Sequence, residues 1–245
     1  MSPDSLAIVG AAFFFAAFSK GVTGIGFSTT CLPILALAIG LKETLPLLLI
    51  PSVASNAIVM VEAGHFRESL RRFWPLLLAA VPGIAVGLAL LTWLDQGRAA
   101  GFLGLVLVGY AIFAFRTPDL RLPERLERPL APVTGFLTGI VNGLTGSQVM
   151  PVLPYMLSLR MEPDRFVQGI NCSFTFCSLV MAVGLSKIGL MTGEAALTSA
   201  LGLLPVYVGV RLGGMVRRRL APEMFRTLVL AMLLAGGLTL IVRAL

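Results

Sequence analysis

Polar positions are sparse along this chain and gather in short clusters between long apolar runs. The runs over 73–94, 99–115 and 228–242 reach or approach the roughly 20 residues that cross a bilayer as a helix. Leucine and alanine dominate them, and the strict alternation of a barrel wall is absent, so helices are expected rather than strands. Two stretches, 5–41 and 130–159, are too long for one span and carry glycines in the middle. Each predicts two short helices with a turn between them, a broken or re-entrant hairpin. Three ordinary spans follow each hairpin, at 43–62, 72–94 and 98–116 in the first half and at 166–186, 194–213 and 223–243 in the second. The expected fold is an all-α polytopic membrane protein of two transmembrane repeats, 1–117 and 130–245, joined by a polar cytoplasmic connector over 118–129.

Composition agrees with that pattern. The chain is 57% hydrophobic and 13% charged, with a mean hydropathy of +0.92. Soluble domains carry about a quarter charged residues, so a water-facing surface cannot be built from this pool. The net charge of +7 could suit nucleic acid, but the basic residues sit between spans, where positive-inside topology explains them better. If both hairpins return to the side they entered, Arg67, Arg71, Arg72, Arg116, Arg121, Arg125, Arg128, Arg160, Arg165, Arg211, Arg217, Arg218, Arg219 and Arg226 all lie inside. Lys42, Arg98, Lys187 and Arg243 then lie outside, with Lys20 left in the first turn. A hairpin that crossed once would turn Arg217–Arg219 outward, against the rule. The first half therefore begins outside and the second inside, which makes them inverted-topology repeats. That is the architecture in which secondary transporters bind substrate near the midplane. The expected setting is a bacterial inner membrane, with no cleavable leader at the N-terminus.

The candidate chemistry lies in the turns. Lys20-Gly21-Val22-Thr23-Gly24-Ile25-Gly26 interrupts an otherwise apolar run and aligns with Asn142-Gly143-Leu144-Thr145-Gly146. A cation at a bilayer centre is unfavourable by about 3 kcal/mol or more and so calls for a partner. No acidic residue lies between Asp4 and Glu43 to provide one locally. Clustered glycines free backbone N–H groups, and with a lysine and a threonine hydroxyl beside them they suit an anion. The segment 5–20 would rise about 24 Å, deep into a bilayer without clearing its core of about 30 Å. Gly135 and Gly139, four residues apart, read instead as helix-packing glycines. Asn56 and Asn171, with Ser173 and Gln148, add buried polar groups in spans. Expected substrate ligands are Lys20, Gly21, Thr23, Gly24, Gly26, Asn56, Asn142, Gly143, Thr145, Gly146, Ser147, Gln148, Asn171 and Ser173.

Other chemistry finds little support. All acidic residues fall in loops or at span ends, Glu62 being nearest a membrane interior, which argues against a cation carrier. The spans hold no histidine and no paired carboxylates, so an intramembrane enzyme lacks its groups. No phosphate-binding lysine loop is present. Cys31, Cys172 and Cys177 lie in apolar runs without metal or redox spacing, and no cofactor or metal is expected. His65 reads as a solvated loop residue, and Trp74 and Trp93 as interfacial anchors.

The first turn, with Phe27 and Pro33-Ile34-Leu35 after it, resembles the first signature of the sulfite exporter TauE/SafE family. The spacing Gly135, Gly139, Gly143, Gly146 resembles its second, and the resemblance covers essentially the whole chain. It implies a membrane transporter of sulfur-containing anions such as sulfite or organosulfonates. Members often carry a run of glycines in the second turn, where this chain has Ser147-Gln148 after Gly146. The partners expected are a small anion and the lipid bilayer, with no nucleic acid and with a homodimer left open. A channel-like conduit, or a carrier of another small anion such as a carboxylate, is the alternative.

Overall fold

A computed structural model describes residues 3–23, 26–116, 119–217 and 222–245. These residues form helices α1 (Pro3–Thr23), α2 (Phe27–Ile39), α3 (Leu41–Ala63), α4 (Phe66–Trp93), α5 (Gln96–Arg116), α6 (Glu124–Thr145), α7 (Val152–Ser158), α8 (Pro163–Lys187), α9 (Gly193–Leu201), α10 (Leu203–Arg217) and α11 (Pro222–Ala244). Among the described residues there is no strand. Six apolar segments, Ser5–Thr23, Leu41–Ala63, Phe66–Trp93, Gln96–Arg116, Pro163–Lys187 and Gly193–Val216, are long enough to cross a membrane. Their outward faces carry Leu78, Leu105, Leu179, Val183 and Leu204, all more than half exposed, as lipid contact requires.

Both long apolar stretches are broken. In the first, α1 and α2 flank a turn at Gly26, whose φ of 97° is a left-handed conformation that favours glycine. In the second, α6 ends at Gly146 with φ 75°, and α7 follows. Two boundaries differ from the sequence expectation. Helix α1 continues through Gly21 to Thr23 and rises about 31 Å rather than 24 Å. Helix α6 starts at Glu124, inside the expected connector, with Pro123 before it and Glu124 and Glu127 in a first turn that favours negative charge. The expected span 194–213 is interrupted at Gly202, where a Cβ would strike the Phe13 ring. Pro205 cannot donate to the Leu201 carbonyl, which loosens the helix at the same place.

Close packing rests on glycine. The most extensive pairings are α4 with α6, α1 with α10, α5 with α11, and α3 with α8. Gly135 and Gly139 touch the α4 carbonyls of Leu76 and Ala80, as their spacing suggests. Gly83 and Gly87 of α4 in turn meet the Phe136 and Ile140 carbonyls of α6. Gly209 and Gly213 of α10 meet the Phe14 and Phe18 carbonyls of α1. Gly104 and Gly237 bring α5 and α11 together. The apolar core between these pairs includes Phe13, Phe27, Leu32, Leu35, Leu91 and Leu103, each at most 2% exposed.

Polar contacts sort the helix ends into two groups. At one end, Arg72 holds Glu127 (2.6 and 3.0 Å), Arg165 pairs with Glu68 (3.0 Å), and Arg160 pairs with Asp119. There too the Leu122 N–H donates to the Ser158 carbonyl and Arg226 to the Ala114 carbonyl. Helix α6 begins at this arginine-rich end and α7 finishes there. At the other end, Lys42 donates to the Leu94 carbonyl, Gln96 to Glu43, and Arg243 to the Leu37 carbonyl. The start of α1 (Ser5) and the end of α2 (Ala38, Ile39) line one cleft with Lys42 and Glu43. Each hairpin thus returns to the end at which it began. Trp74 and Trp93, at 55% and 85% exposure, lie near opposite ends of α4 and suit interfacial anchoring.

Candidate functional site

Lys20, in the last turn of α1, is 1% exposed. Its Nζ donates to Oδ1 of Asn56 on α3 and to Oδ1 of Asn171 on α8, the latter at 3.1 Å. Asn171 is held in turn by its Nδ2 donating to the Val167 carbonyl (2.8 Å), so its oxygen faces the ammonium. Both partners are neutral, and no carboxylate among the described residues pairs with Lys20. Amide oxygens satisfy the N–H groups of a buried ammonium without cancelling its charge. The result is an uncompensated positive centre with room beside it. The Asn56 Nδ2, a further donor, is buried without a partner.

That room is a small enclosed cavity lined by Lys20, Asn56, Gln148, Phe174, Ser52 and the first residues of α2 from Gly26 to Thr29. It holds no more than a single water molecule. Helix α2 starts there without a side-chain cap, so its first N–H groups and its dipole add to the field of Lys20. A second enclosed cavity adjoins it, sharing Ser28, Ser52 and Gln148, and reaches Asn142, Gly146 and Ser178. Neither amide atom of Asn142 has a hydrogen-bond partner, although the residue is 1% exposed. Gln148 Nε2 donates to Ser178 Oγ (3.0 Å), and the Ser28 and Ser52 hydroxyls lie 3.0 Å apart.

The expected ligands divide accordingly. Lys20, Asn56 and Asn171 meet directly, Gly26 and Gln148 line the same cavity, and Asn142 and Gly146 line its neighbour. Gly21 and Gly143 lie inside helices instead of in turns. A Cβ on Gly21 would collide with the Val210 carbonyl and Gly213 of α10, and one on Gly143 with the Ile84 carbonyl and Gly87 of α4. Thr23 Oγ1 donates back to the Ser19 carbonyl (2.9 Å) and lines a separate cleft. Thr145 Oγ1 donates to Val141 and accepts from the Ser147 N–H, closing the second turn locally. The Ser147 hydroxyl is buried without a partner, and Ser173 is buried on α8; neither lines the two cavities. Gly24 lies outside the described residues.

Several polar residues at the site were not singled out from sequence. Ser28 and Thr29 follow the Gly26 turn directly, and their place in the first turn of a broken helix was the available signal. Gln168, Thr175 and Ser178 share one face of α8, at helical spacing, with the expected ligand Asn171. Gln168 is fully buried with neither amide atom paired, and the Thr175 hydroxyl is also unpaired. Thr138, one turn before Asn142, has a buried unpaired hydroxyl as well.

A model of the family described as Sulfite exporter TauE/SafE matches residues 9–240. The chain belongs to the TauE/SafE family. This TauE/SafE member has no match among curated proteins or among solved structures. Family membership and the apolar helices make it a multi-pass membrane transporter, with sulfite or a related sulfur anion as the substrate class. Lys20 lies at the end of α1, just before the turn that opens α2, and Asn142 lies in the last turn of α6.

Proposed function

We propose that this protein moves a sulfite- or sulfonate-type monoanion across a bacterial inner membrane by alternating access around a midplane site centred on Lys20. The observation that carries the reading is a buried ammonium held by neutral amides at the uncapped start of a broken helix. A sulfonate headgroup brings one negative charge and three acceptor oxygens. The Lys20 ammonium, the Asn56 Nδ2, the α2 N–H groups and the Ser28 or Ser52 hydroxyl supply complementary donors. Gln148 and Asn142 would contact the organic or terminal part of a longer sulfonate. The cavities admit only a water, so the site must widen to take substrate.

In this reading the halves 1–117 and 130–245 are inverted repeats. Support comes from the glycine contacts, which recur with one offset in sequence from α1 to α6 and a slightly longer one from α4 to α10. Gly83 and Gly87 touch the carbonyls of Phe136 and Ile140, and Gly209 and Gly213 touch those of Phe14 and Phe18. The α1-to-α6 offset also equates Gly21 with Gly143 and Lys20 with Asn142. The relation is thus symmetric in packing and asymmetric in charge, with one formal positive charge for one monoanion.

A thermal-shift series on purified protein against sulfite, thiosulfate, alkyl and aryl sulfonates, and carboxylates tests the proposal. A ligand that binds the folded state raises Tm with its concentration. Stabilisation by carboxylates alone would overturn the sulfur-anion assignment. Saturable flux with counter-exchange in proteoliposomes is expected of a carrier, and its absence would favour a channel-like conduit.

A further inference from the structure

A cleft of about 150 Å³ lies between α1, α2, α5 and α11, lined by Ser19, Thr23, Thr29, Thr30, Tyr110 and Arg226. It shares Gly26 and Thr29 with the Lys20 cavity. On its other side it shares Tyr110 and Arg226 with a vestibule of about 480 Å³ at the arginine-rich end, whose rim carries Arg160 and Asp119. The three spaces therefore form a string from that end to Lys20. The cleft at the opposite end, around Lys42 and Glu43, shares no lining residue with the Lys20 or Asn142 cavities.

Two features of the middle cleft point to a ligand. The Thr30 hydroxyl is 1% exposed, lines the cleft and has no hydrogen-bond partner. Arg226 donates one hydrogen bond, from Nη2 to the Ala114 carbonyl at 2.7 Å, and among the described residues no carboxylate pairs with it. A guanidinium has five N–H donors in a fixed fork, so most remain for an oxyanion. Arg160, by contrast, is already matched by Asp119. Among the described residues Arg226 is thus a second cation on the route without a carboxylate partner, standing where two cavities join.

We infer that the cleft is a staging site, in which Arg226 and the Thr30 hydroxyl hold a monoanionic oxyanion between the arginine-rich vestibule and Lys20. The inference rests on the Lys20 reading for the destination of the anion, but the staging site is defined by its own residues. Its role is to keep the anion paired with a cation along the route, since an unpaired charge in a low-dielectric passage is strongly disfavoured. The hydroxyl face formed by Ser19, Thr29 and Thr30 leads toward Gly26, where the first cavity opens.

The test is charge-selective labelling of Thr30→Cys in protein whose Cys31, Cys172 and Cys177 are replaced by alanine, reconstituted with known orientation. The probes are sulfonatoethyl and trimethylammonioethyl methanethiosulfonate, of opposite charge and similar size. From the arginine-rich side the anionic reagent should react at least tenfold faster than the cationic one. Arg226→Gln should bring the ratio towards one, while Arg226→Lys should restore it. A purely structural role for Arg226, capping the end of α5, would leave the ratio unmoved. Equal rates, a ratio indifferent to Arg226→Gln, reaction only from the opposite side, or no reaction at all would overturn the inference. The last is the result for a hydroxyl sealed off from the cleft. Adding Lys20→Met separates the two claims, because selective labelling should survive it while sulfite binding at Lys20 is lost. If sulfite affinity survives instead, the Lys20 reading fails and the labelling ratio still decides the staging site.

Discussion

Replacing Lys20 with methionine removes the charge while keeping an unbranched side chain of comparable length. An anion oxygen about 4 Å from the ammonium would be attracted by roughly 4 kcal/mol at an effective dielectric of about 20. Asn56 and Asn171 already occupy part of the ammonium's donor capacity, and the anion loses its own hydration on entry. The net loss should therefore be about 2–4 kcal/mol, or roughly 30- to 700-fold in Kd. The ligand-free protein should respond differently. Methionine abolishes the desolvation penalty of a buried charge with no ionic partner, a stabilising change. The two amide oxygens lose a donor, a destabilising change of about 1–3 kcal/mol each. These oppose, so the ligand-free Tm should stay within several degrees of the parent while the sulfite-induced rise disappears. Isothermal titration with sulfite and a short alkyl sulfonate, beside melting curves with and without ligand, reads both numbers. A Kd within threefold of the parent would refute the reasoning. So would a variant that no longer folds without ligand, because Lys20 would then be a structural strut.

Asn171→Asp should neutralise the site from inside, placing a carboxylate where an amide oxygen now sits 3.1 Å from Lys20 Nζ. Anion affinity should fall at least as far as in Lys20→Met with Tm unchanged or raised; retained affinity would show that the charge is not used. Gly26→Ala has room for its methyl group, the nearest outside atom being Thr30 Oγ1 at 4.0 Å, so its effect isolates the φ of 97°. It should lower stability by about 1–2 kcal/mol, and an unaltered unfolding midpoint would contradict the left-handed turn. Gly21→Val and Gly143→Val force α1 from α10 and α6 from α4, and each should be destabilising by at least about 2 kcal/mol. Similar losses in both support the equivalence of the two seams, whereas a harmless Gly143→Val would break it.

Much of the architecture could be read from the chain because membrane helices obey blunt rules. The two overlong apolar stretches broke at Gly26 and Gly146, the glycines with positive φ next to polar neighbours. The single buried lysine stood out because so little else in the first 40 residues is charged. Gly21 and Gly143 were assigned to turns, yet they serve helix contacts. A residue without a side chain answers both needs, and only the location of the neighbouring helix tells them apart. The hydroxyls of Ser28, Thr29 and Thr30 were passed over for a related reason. In a span, serine and threonine usually bond back to their own helix, as Thr44, Ser186 and Thr239 do here, so their presence alone marks no site. The break at Gly202 has a local sign in Pro205, but the close approach of Phe13, nearly 200 residues earlier, has none.

The seam between α1 and α10 also bears on how the chain is made. It joins α1 to a helix made nearly 200 residues later, and Lys20 finds Asn171 across a separation of 151 residues. Until α8 and α10 are made, the lysine of α1 has no second amide to hold and its Phe14 and Phe18 carbonyls lack the glycines that pack on them. The charged centre can therefore be completed only after α8 is made. A chain cut short before α8 would leave that lysine with the Asn56 amide alone, a mark by which membrane quality control could recognise an incomplete product.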